Sequence, residues 1–528
     1  MPDEHRKPGS PANRAGVLAT VTKNAVANLA RMGISWIVVL FLPPLLVRVL
    51  DKPTYATWIL ILQIGAYVSL VDTGIQSAIG RFVARADELQ DRGSMQQTLS
   101  NAGLILLIAS LIAVAGTSFC SWQLDHLFHD IPSSIASSAQ KALLVIGLSL
   151  AISLPFSTFA GAFLGLQRNE LNAVAGTAAK LAGATGAAWA AWHHEGLVAM
   201  ALWIAFGNVL QGLIFFVFWK RLGLHGLIHR AHLSGVALRE FARFCYAMFA
   251  TQLGGILISG LDMPVVAAFD FHAAAYYAVA ATASNMLGVP QEAIVGTLIP
   301  VASGMSAVQT AEHLGQVLIR TTRYASAILC LLTLPLLFAM FPFLRLWVGA
   351  DYAIHALPLA LILVVAQFIR LTLTPYAAIG FGAGQQQRML ISPLGEGVVN
   401  LGCSVLGAMW LGALGVALGT LIGACVGIFL HFVNSMPRTD GMKFSRRRLA
   451  LTGIFRPVAC CIPSLFLLLA AWRWIPANTA SLAFVAIGEF LAAIIVWKGN
   501  FNPDERSEMI GLAREMFDNC LRLARAGV

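Results

Sequence analysis

The fold is decided by a stretch with two apolar runs around one polar turn, LPPLLVRVLDKPTYATWILILQIGAYVSLVDTGIQSAIGRFVA, at residues 42–84. The first run ends at Leu50, and the second extends from Tyr55 to Ile79. A helix needs about 20 apolar residues to cross a bilayer core about 30 Å thick, and the second run meets that length. Asp51 and Lys52 separate the two runs and suit a turn in water. The stretch predicts a hairpin of two transmembrane helices.

The composition extends this interpretation to the whole chain. Of the 528 residues, 58% are hydrophobic and 11% are charged, whereas about a quarter of a soluble domain is charged. Apolar segments recur from Ile34 to Trp497, and the gaps between them are too short to fold alone. We therefore expect an all-α polytopic membrane protein of about fourteen transmembrane helices. Because no soluble region is large enough for an enzyme, we expect no enzymatic activity.

The Lys and Arg residues indicate the orientation, because they accumulate in short cytoplasmic loops. If the N-terminus is cytoplasmic, 28 of the 35 Lys and Arg residues fall in cytoplasmic segments or at the inner ends of spans, and two lie within spans. The predicted outer segments contain Arg48, Lys52, Lys141, Arg345 and Arg473. This alternation predicts a multi-pass protein of the cell inner membrane with both termini in the cytoplasm. The positive net charge is thus a topology signal and does not indicate nucleic acid.

The eight cysteines fall mostly inside apolar runs, without the spacing of a zinc site or a disulfide framework. We interpret them as small packing residues. The longest outer connection, about Ser121 to Lys141, contains Asp125, His126, His129 and Asp130, for which a solvated loop is favoured over a metal site. We therefore predict no cofactor and no bound metal.

A weak internal repeat indicates a duplicated plan. Val49-Leu50-Asp51 followed by Tyr55-Ala56 resembles Ala268-Phe269-Asp270 followed by Tyr277-Ala278. Duplicated lobes are common among transporters, so we predict two pseudo-symmetric six-helix lobes and two C-terminal helices. The predicted segments are a cytoplasmic N-terminal segment (1–30), an N-lobe (31–219), a cytoplasmic amphipathic linker (220–244), a C-lobe (245–434), a cytoplasmic basic loop (435–449), the last two helices (450–498) and a cytoplasmic amphipathic tail (499–528).

Ionisable side chains inside the spans are functional candidates, because each costs several kcal/mol in hydrocarbon unless it meets a cavity or a partner. Six such residues are Asp72, Lys180, Asp262, Arg370, Glu396 and Glu489. From the helical rise of 1.5 Å, four of them lie about 10 to 13 Å above the inner surface. These four, which could converge on a polar cavity, are Asp72, Lys180, Arg370 and Glu396.

Three of these residues have a simpler alternative. Lys180 and Arg370 could reach the interface along their long side chains, and Asp72 could simply end its helix. Lys180, however, lies in a helix built almost wholly of Ala, Gly and Thr, which belongs inside a bundle. Arg370 precedes Pro375, where a missing amide hydrogen bond can bend the helix and create a hinge. A functional role is therefore preferred for the two cations.

Motifs for nucleotide-driven transport and for catalysis are absent from the sequence. There is no Gly-x-x-x-x-Gly-Lys-Ser/Thr phosphate loop, so the chain does not itself hydrolyse a nucleotide. No soluble region gathers a nucleophile, a base and a third group. Transport driven by a gradient, or by the supply of the substrate, is the function that remains.

Several stretches resemble one family. Residues 42–84 are similar to its first two helices, with a Pro-containing exit, an Arg before a tight turn and a later Asp-x-Gly. Residues 261–262, 276–278, 298–303 and 345–352 are similar to its seventh and eighth spans and to the region after the ninth. On these residues the chain resembles the polysaccharide, or lipid-linked oligosaccharide, flippases of the multidrug/oligosaccharidyl-lipid/polysaccharide exporter superfamily.

The resemblance implies a V-shaped pair of lobes that moves undecaprenyl-diphosphate-linked oligosaccharide between leaflets for exopolysaccharide, capsule or O-antigen assembly. Arg and Lys bind diphosphate strongly where water is scarce. The residues expected to contact the substrate are Lys180, Arg370, Arg31 and Arg81. The residues expected to respond to a coupling proton or sodium ion are Asp72, Asp262 and Glu396. Membrane lipids, and a polymerase and glycosyltransferases of the same pathway, are the expected partners.

Two other functions remain open on the residues alone. A cation-coupled multidrug antiporter of the same superfamily would have a cavity dominated by acidic side chains such as Asp262 and Glu292. A membrane polymerase or glycosyltransferase would carry a long outer loop with Arg or Asp clusters. The longest outer connection here has only about twenty residues, which disfavours the enzyme.

Overall fold

The structure is a computed structural model, and it describes residues 33–224, 227–229, 232–235, 238–239, 241–242, 245, 253–308, 310–474, 479–511 and 514. Every regular element among these residues is a helix, which confirms the predicted all-α fold. The chain forms two compact units, Met1–Ala278 and Val279–Val528. The sequence predicted an N-lobe at 31–219 and a C-lobe at 245–434. These units do not test those boundaries, which stay a prediction.

The first unit contains nine of the helices described below and the start of a tenth. They are α1 (Gly33–Val49), α2 (Lys52–Glu88), α3 (Arg92–Trp122), α4 (Leu124–Leu127), α5 (Ser133–Ser153), α6 (Ser157–Gly165), α7 (Asn169–Trp192), α8 (Gly196–Arg221), α9 (Asp262–Phe269) and the start of α10 (Phe271–Asn285). A 3₁₀ turn at Leu154–Phe156 joins α5 to α6, and a π-helix at Ile256–Gly260 precedes α9.

The second unit begins inside α10 and contains the remaining helices. They are α11 (Gly288–Val308), α12 (Ala311–Phe338), α13 (Met340–Trp347), α14 (Ala350–Leu371), α15 (Thr374–Gly382), α16 (Gln386–Met389), α17 (Ile391–Leu411), α18 (Ala413–Leu430), α19 (Arg446–Arg448), α20 (Arg456–Trp474), α21 (Thr479–Gly499) and α22 (503–511). Two π-helices, His431–Ser435 and Leu449–Phe455, follow α18 and α19.

Ten helices are long and apolar enough to cross a membrane, within the part of the chain that the structure describes. Two shorter apolar helices, Gly33–Val49 and Leu253–Phe269, lie within the first and seventh apolar runs of the sequence, Arg31 to Leu50 and Cys245 to Phe269. The fifth apolar run, Asn172 to Trp192, corresponds to α7, and the eighth, Ala274 to Pro300, corresponds to α10 together with α11. The apolar runs therefore fall on helical segments in the part of the chain that the structure describes, while the number of membrane crossings stays a prediction.

One pair of consecutive spans meets at a single glycine. α17 ends at Leu411 and α18 begins at Ala413, so the chain reverses at Gly412. Gly412 has φ 58° and ψ −137°, a conformation that glycine adopts readily because it has no Cβ.

Large apolar side chains cover the outside of many helices. Trp410 is 86% exposed, and Leu111, Ile112, Phe466 and Phe490 are each more than half exposed. Apolar surface of this extent is a liability in water, but it matches the hydrocarbon of a bilayer. The exposed side chains are therefore those expected of helices that face lipid.

Small residues allow α6 to pack directly against α2. A Cβ added at Gly161 would lie 2.6 Å from the side chain of Ile79. One added at Gly165 would lie 2.7 Å from the carbonyl oxygen of Gly80. Close backbone approach at small residues is the usual packing mode of membrane helices, where no hydrophobic effect drives association.

The break between α5 and α6 is stabilised by a side chain from α3. Pro155 has no amide hydrogen, so the carbonyl of Ala151, four residues earlier, loses its helical donor. Ser110 donates its hydroxyl to this oxygen at 2.7 Å. The backbone N–H of Leu154 also donates to the Ala151 carbonyl, so this oxygen stays hydrogen-bonded at the break, where an unsatisfied carbonyl in hydrocarbon would cost several kcal/mol.

The tail helix α22 is bound to the second unit through charges on α12. Arg323 forms an ion pair with Glu505, and Arg320 forms one with Glu508. The backbone amide of Asn502 donates to Glu505 at 2.9 Å. Burial opposes ionisation of Glu505, but these donors outweigh it, so the pKa of Glu505 lies below its usual value.

We expect Glu505→Gln to release α22, because Arg323, only 10% exposed, would lose its counter-ion. Hydrogen exchange of residues 503–511 should accelerate at least about tenfold, which corresponds to about 1.4 kcal/mol. The lowered pKa means that the stabilisation is present above the ordinary value of 4.5 and is lost as the pH falls through the folded value. The wild-type segment should therefore also loosen in acid, at a pH below 4.5. Asp504→Asn changes an exposed neighbour, and equal exchange in both variants would exclude the ion pair as the cause.

Candidate functional site

The six ionisable residues identified in the sequence are divided between the two units. The first unit contains Asp72, Lys180 and Asp262, and the second contains Arg370, Glu396 and Glu489. Two members of the set, both in the second unit, contact each other directly. This pair is the centre of the candidate site.

Arg370 on α14 and Glu396 on α17 form a buried ion pair. The Nε atom of Arg370 donates to Oε1 of Glu396 at 2.7 Å. The exposed fraction is 19% for the Arg370 side chain and 7% for the Glu396 side chain. The sequence predicted separate roles for these residues, whereas their contact couples any change at one to the other.

A polar network continues from this pair toward the surface of the unit. Nη1 of Arg370 donates to Gln367 at 2.9 Å, and Nε2 of Gln367 donates to Asn285 at 2.7 Å. Asn285 is exposed and Glu396 is buried, so the network leads from an accessible amide to a buried carboxylate. Nη2 of Arg370 is buried and has no acceptor among the described residues. The guanidinium therefore retains hydrogen-bonding capacity beyond its two partners.

Arg370 stands at the end of an interrupted helix. α14 ends at Leu371, and α15 begins at Thr374 with Pro375 in its first turn. Pro375 deprives the Leu371 carbonyl of its amide donor, and Thr374 Oγ1 donates to that oxygen at 2.7 Å. The interruption predicted here is present, and the negative end of the α14 dipole favours a cation at this place.

Glu396 is held by close packing of α17 on α18, a feature that was not predicted from the sequence. Buried polar residues recur at every fourth position of α17, namely Ser392, Glu396, Asn400 and Ser404. Glycines recur at every fourth position of α18, namely Gly415, Gly419, Gly423 and Gly427. A Cβ at Gly427 would lie 2.3 Å from Oε2 of Glu396. The sequence did contain a signal for this packing, namely the spacing of four residues in both helices, because residues four apart lie on the same face of a helix.

Asp262 is buried at the start of α9, in the first unit. The hydroxyl of Tyr277 donates to Oδ2 of Asp262 at 3.2 Å. Both residues lie in the stretches that carried the family resemblance. Their contact places a carboxylate and a phenol together in a largely apolar surrounding, where an ionised carboxylate is costly without further compensation.

The backbone just before Asp262 is hydrogen-bonded to α2 at a carbonyl that lacks its helical donor because of a proline. Pro264 cannot donate to the carbonyl of Gly260, four residues earlier. Gln63 donates its side-chain amide to this oxygen at 3.1 Å, and Tyr67 donates its hydroxyl. The Gly260 carbonyl before Asp262 is therefore hydrogen-bonded by two side chains of α2.

The other residues predicted to bind substrate lie in the N-terminal part of the chain. Lys180 is exposed on α7, and Arg81 is exposed on α2. Arg31 lies outside the described residues. Asp72 lies on α2, where Nε2 of Gln76 donates to its Oδ2 at 2.7 Å. The roles expected for these residues stay predictions.

We expect Gly427→Ala to destabilise the protein, because the new methyl group and the Glu396 carboxylate cannot occupy the same space. Overpacking of this kind costs about 1–3 kcal/mol and should lower the midpoint of thermal unfolding. Gly402→Ala on α17 is the matched control, since a Cβ there meets nothing within 4 Å. If both variants unfold at the wild-type midpoint, α17 and α18 are not in the tight contact described.

The geometry is that of a helical membrane protein with charges buried among broken helices, and solved structures share its fold. No curated protein matches this chain. The lipid II flippase MurJ, in an inward closed conformation, matches with a TM-score of 0.65 at 14% identity, covering 90% of this chain and 98% of that one. An inward-facing multidrug resistance MATE family transporter of the MOP superfamily matches with a TM-score of 0.60 at 15% identity, covering 79% of this chain and 98% of that one.

A MATE transporter of Vibrio cholerae also matches, with a TM-score of 0.55 at 14% identity, covering 80% of this chain and 95% of that one. The chain therefore has the fold of these multi-pass membrane transporters. The chain belongs to the polysaccharide biosynthesis protein family, which matches residues 18–306, more than half of its length. The family resemblance carried by the sequence motifs is thereby confirmed.

Proposed function

We propose that the protein moves undecaprenyl-diphosphate-linked oligosaccharide from the inner to the outer leaflet of the cell inner membrane by alternating access. In this orientation both termini lie in the cytoplasm, as the distribution of Lys and Arg predicts. The flipped oligosaccharide would serve exopolysaccharide, capsule or O-antigen assembly. Glycosyltransferases would act before the transporter, and a polymerase would act after it.

The family membership supports a sugar linked to a lipid as the cargo. The chain belongs to a polysaccharide biosynthesis family, and a lipid II flippase shares its fold over 90% of its length. A diphosphate that crosses hydrocarbon carries charge that is costly unless cationic groups accompany it. A buried cation is therefore the feature that this cargo requires.

The proposal rests on one observation, that Arg370 is a buried cation in contact with Glu396. Glu396 balances its charge, and Gln367 accepts from a second N–H group. A phosphate oxygen can compete for the guanidinium, because Arg binds phosphate through a planar fork of donors. Displacement would leave the Glu396 carboxylate buried without a partner, so cargo binding would favour uptake of a proton or sodium ion there. In this way the ion pair would couple the cargo to a cation.

A cation-coupled multidrug antiporter is the second candidate function. MATE transporters share the fold, and Asp262 offers a buried carboxylate. The side chain of Glu292, the other acidic residue expected for such a cavity, lies outside the described residues. Arg370 Nη2 is a buried donor without an acceptor among the described residues, and it suits an anionic cargo better than a cationic drug.

The test neutralises the ion pair in a strain that lacks the wild-type gene. Arg370→Gln and Glu396→Gln each leave one buried charge unpaired, which costs about 3–5 kcal/mol. The double variant removes both charges and should recover the thermal stability that each single variant loses. If Arg370 binds the cargo, polymer export by the double variant should stay at least about tenfold below wild type at equal membrane level. Arg345→Gln neutralises an exposed arginine of the same unit and should export normally.

Different outcomes would overturn different parts of the proposal. Normal export by the double variant would exclude Arg370 as a ligand of the cargo. A deletion strain that accumulates no lipid-linked oligosaccharide on the inner leaflet would exclude the flippase function. Increased drug sensitivity in that strain, with polymer export intact, would favour the antiporter.

A further inference from the structure

Three consecutive arginines lie at the start of a long helical segment in the second unit. They are Arg446, Arg447 and Arg448, which form α19, and all three side chains are exposed. The π-helix Leu449–Phe455 and then α20 continue the segment without a break. The cations are therefore concentrated at one end of a helix that is otherwise apolar.

Nearby carboxylates neutralise other cations and not these arginines. Asp440 forms an ion pair with Arg388, and Glu312 forms one with Lys443 at 3.0 Å. Within the described part of the chain, no carboxylate forms an ion pair with any arginine of α19. Their positive charge is therefore available to a partner from outside the chain.

The segment that carries the arginines is held in place by hydrogen bonds and close packing. The backbone amide of Lys443 donates to the carbonyl of Ala311 at 2.9 Å, and the Lys443 carbonyl leaves no room for a Cβ at Gly315. Nη1 of Arg446 donates to the carbonyl of Phe432 at 2.9 Å. The cluster is thus preorganised, which lowers the entropic cost of binding a ligand.

An apolar stripe begins directly beside the arginines. Leu451 follows Arg447 by four positions and Arg448 by three, so the three side chains share one face of the segment. Exposed apolar side chains then recur at every third or fourth position as far as α20 extends into the predicted span. They are Leu451, Phe455, Ala459, Ile462, Phe466 and Leu469.

A phospholipid has the same order of groups, with a phosphate next to hydrocarbon chains. Arginine binds phosphate through a planar fork of donors, and cation clusters at the cytoplasmic end of a membrane helix attract anionic lipids. The preference of Lys and Arg for cytoplasmic loops explains why arginines occur here. It does not require that they lack counter-ions or that they adjoin an exposed apolar stripe.

We propose that Arg447 and Arg448 bind the phosphate of an anionic phospholipid of the cytoplasmic leaflet, with its acyl chains along the apolar stripe. A lipid with a net negative charge is preferred, because two adjacent guanidinium groups repel the ammonium group of a zwitterionic headgroup. The site lies on α19 and α20, apart from the ion pair of Arg370 on α14, and it does not depend on the identity of the cargo.

Native mass spectrometry of the purified full-length protein in detergent tests the site. The protein is titrated with phosphatidylglycerol or with phosphatidylcholine of the same acyl chains, and no lipid-linked oligosaccharide is present. Wild-type protein should bind phosphatidylglycerol at least about tenfold more tightly. Each cation near an anionic headgroup contributes about fivefold in affinity, so the double variant Arg447→Gln/Arg448→Gln should bind phosphatidylglycerol about 30-fold more weakly.

The matched control is the double variant Lys220→Gln/Arg221→Gln. It also removes two adjacent exposed cations, at the end of α8 that is predicted to face the cytoplasm, and it should bind phosphatidylglycerol like wild type. An equal loss of affinity in both double variants would assign the attraction to net charge and overturn the site. Equal affinity of the wild type for the two lipids would also overturn it.

Size-exclusion chromatography shows whether the double variant is folded. If it is not, Arg447→Gln and Arg448→Gln carry the test singly, each with an expected loss of about fivefold, and wild-type affinity in both would overturn the proposal. Displacement of phosphatidylglycerol by inorganic phosphate would assign the arginines to a soluble anion and overturn the lipid site. Every outcome leaves the flippase proposal standing, since the cargo takes no part in the measurement.

Discussion

Hydrocarbon offers no hydrogen bonds, and this constraint governs both units of the structure. Helices cross such a medium because they satisfy their own backbone, and each break in a helix needs a replacement donor. The carbonyls freed by Pro155, Pro264 and Pro375 accept hydrogen bonds from serine, glutamine and threonine side chains respectively. Helices therefore bend where a polar side chain is in place, and tertiary contacts decide which bends are tolerable.

The same constraint applies to side-chain charges. Arg370 and Glu396 are compatible with their surroundings because each compensates the other. A buried ion pair adds little net stability compared with apolar packing, but breaking it by removing one partner is expensive. Such a pair therefore resists separation until another charged group arrives. This property suits a transporter, in which a bound cargo has to change the balance between two conformations.

The candidate site was only partly predictable, for a reason that particular residues illustrate. Arg370 and Glu396 were each identified as charges inside apolar runs, but their contact joins residues 26 positions apart on different helices. Regularly spaced residues define one face of a helix, but the spacing does not reveal which face of another helix packs against it. The glycines of α18 and the polar residues of α17 carried a signal in their spacing of four, yet only their packing showed that Gly427 adjoins Glu396.

By itself the sequence determined that the chain is a helical membrane protein of the polysaccharide biosynthesis protein family. Apolar length, charge distribution and short motifs belong to local segments, so they are readable without knowledge of the packing. Only the tertiary structure decided that Glu396 faces Arg370 and that Glu312 pairs with Lys443. One residue along a helix turns a side chain by about 100°, so these contacts depend on helix rotations that local sequence leaves open.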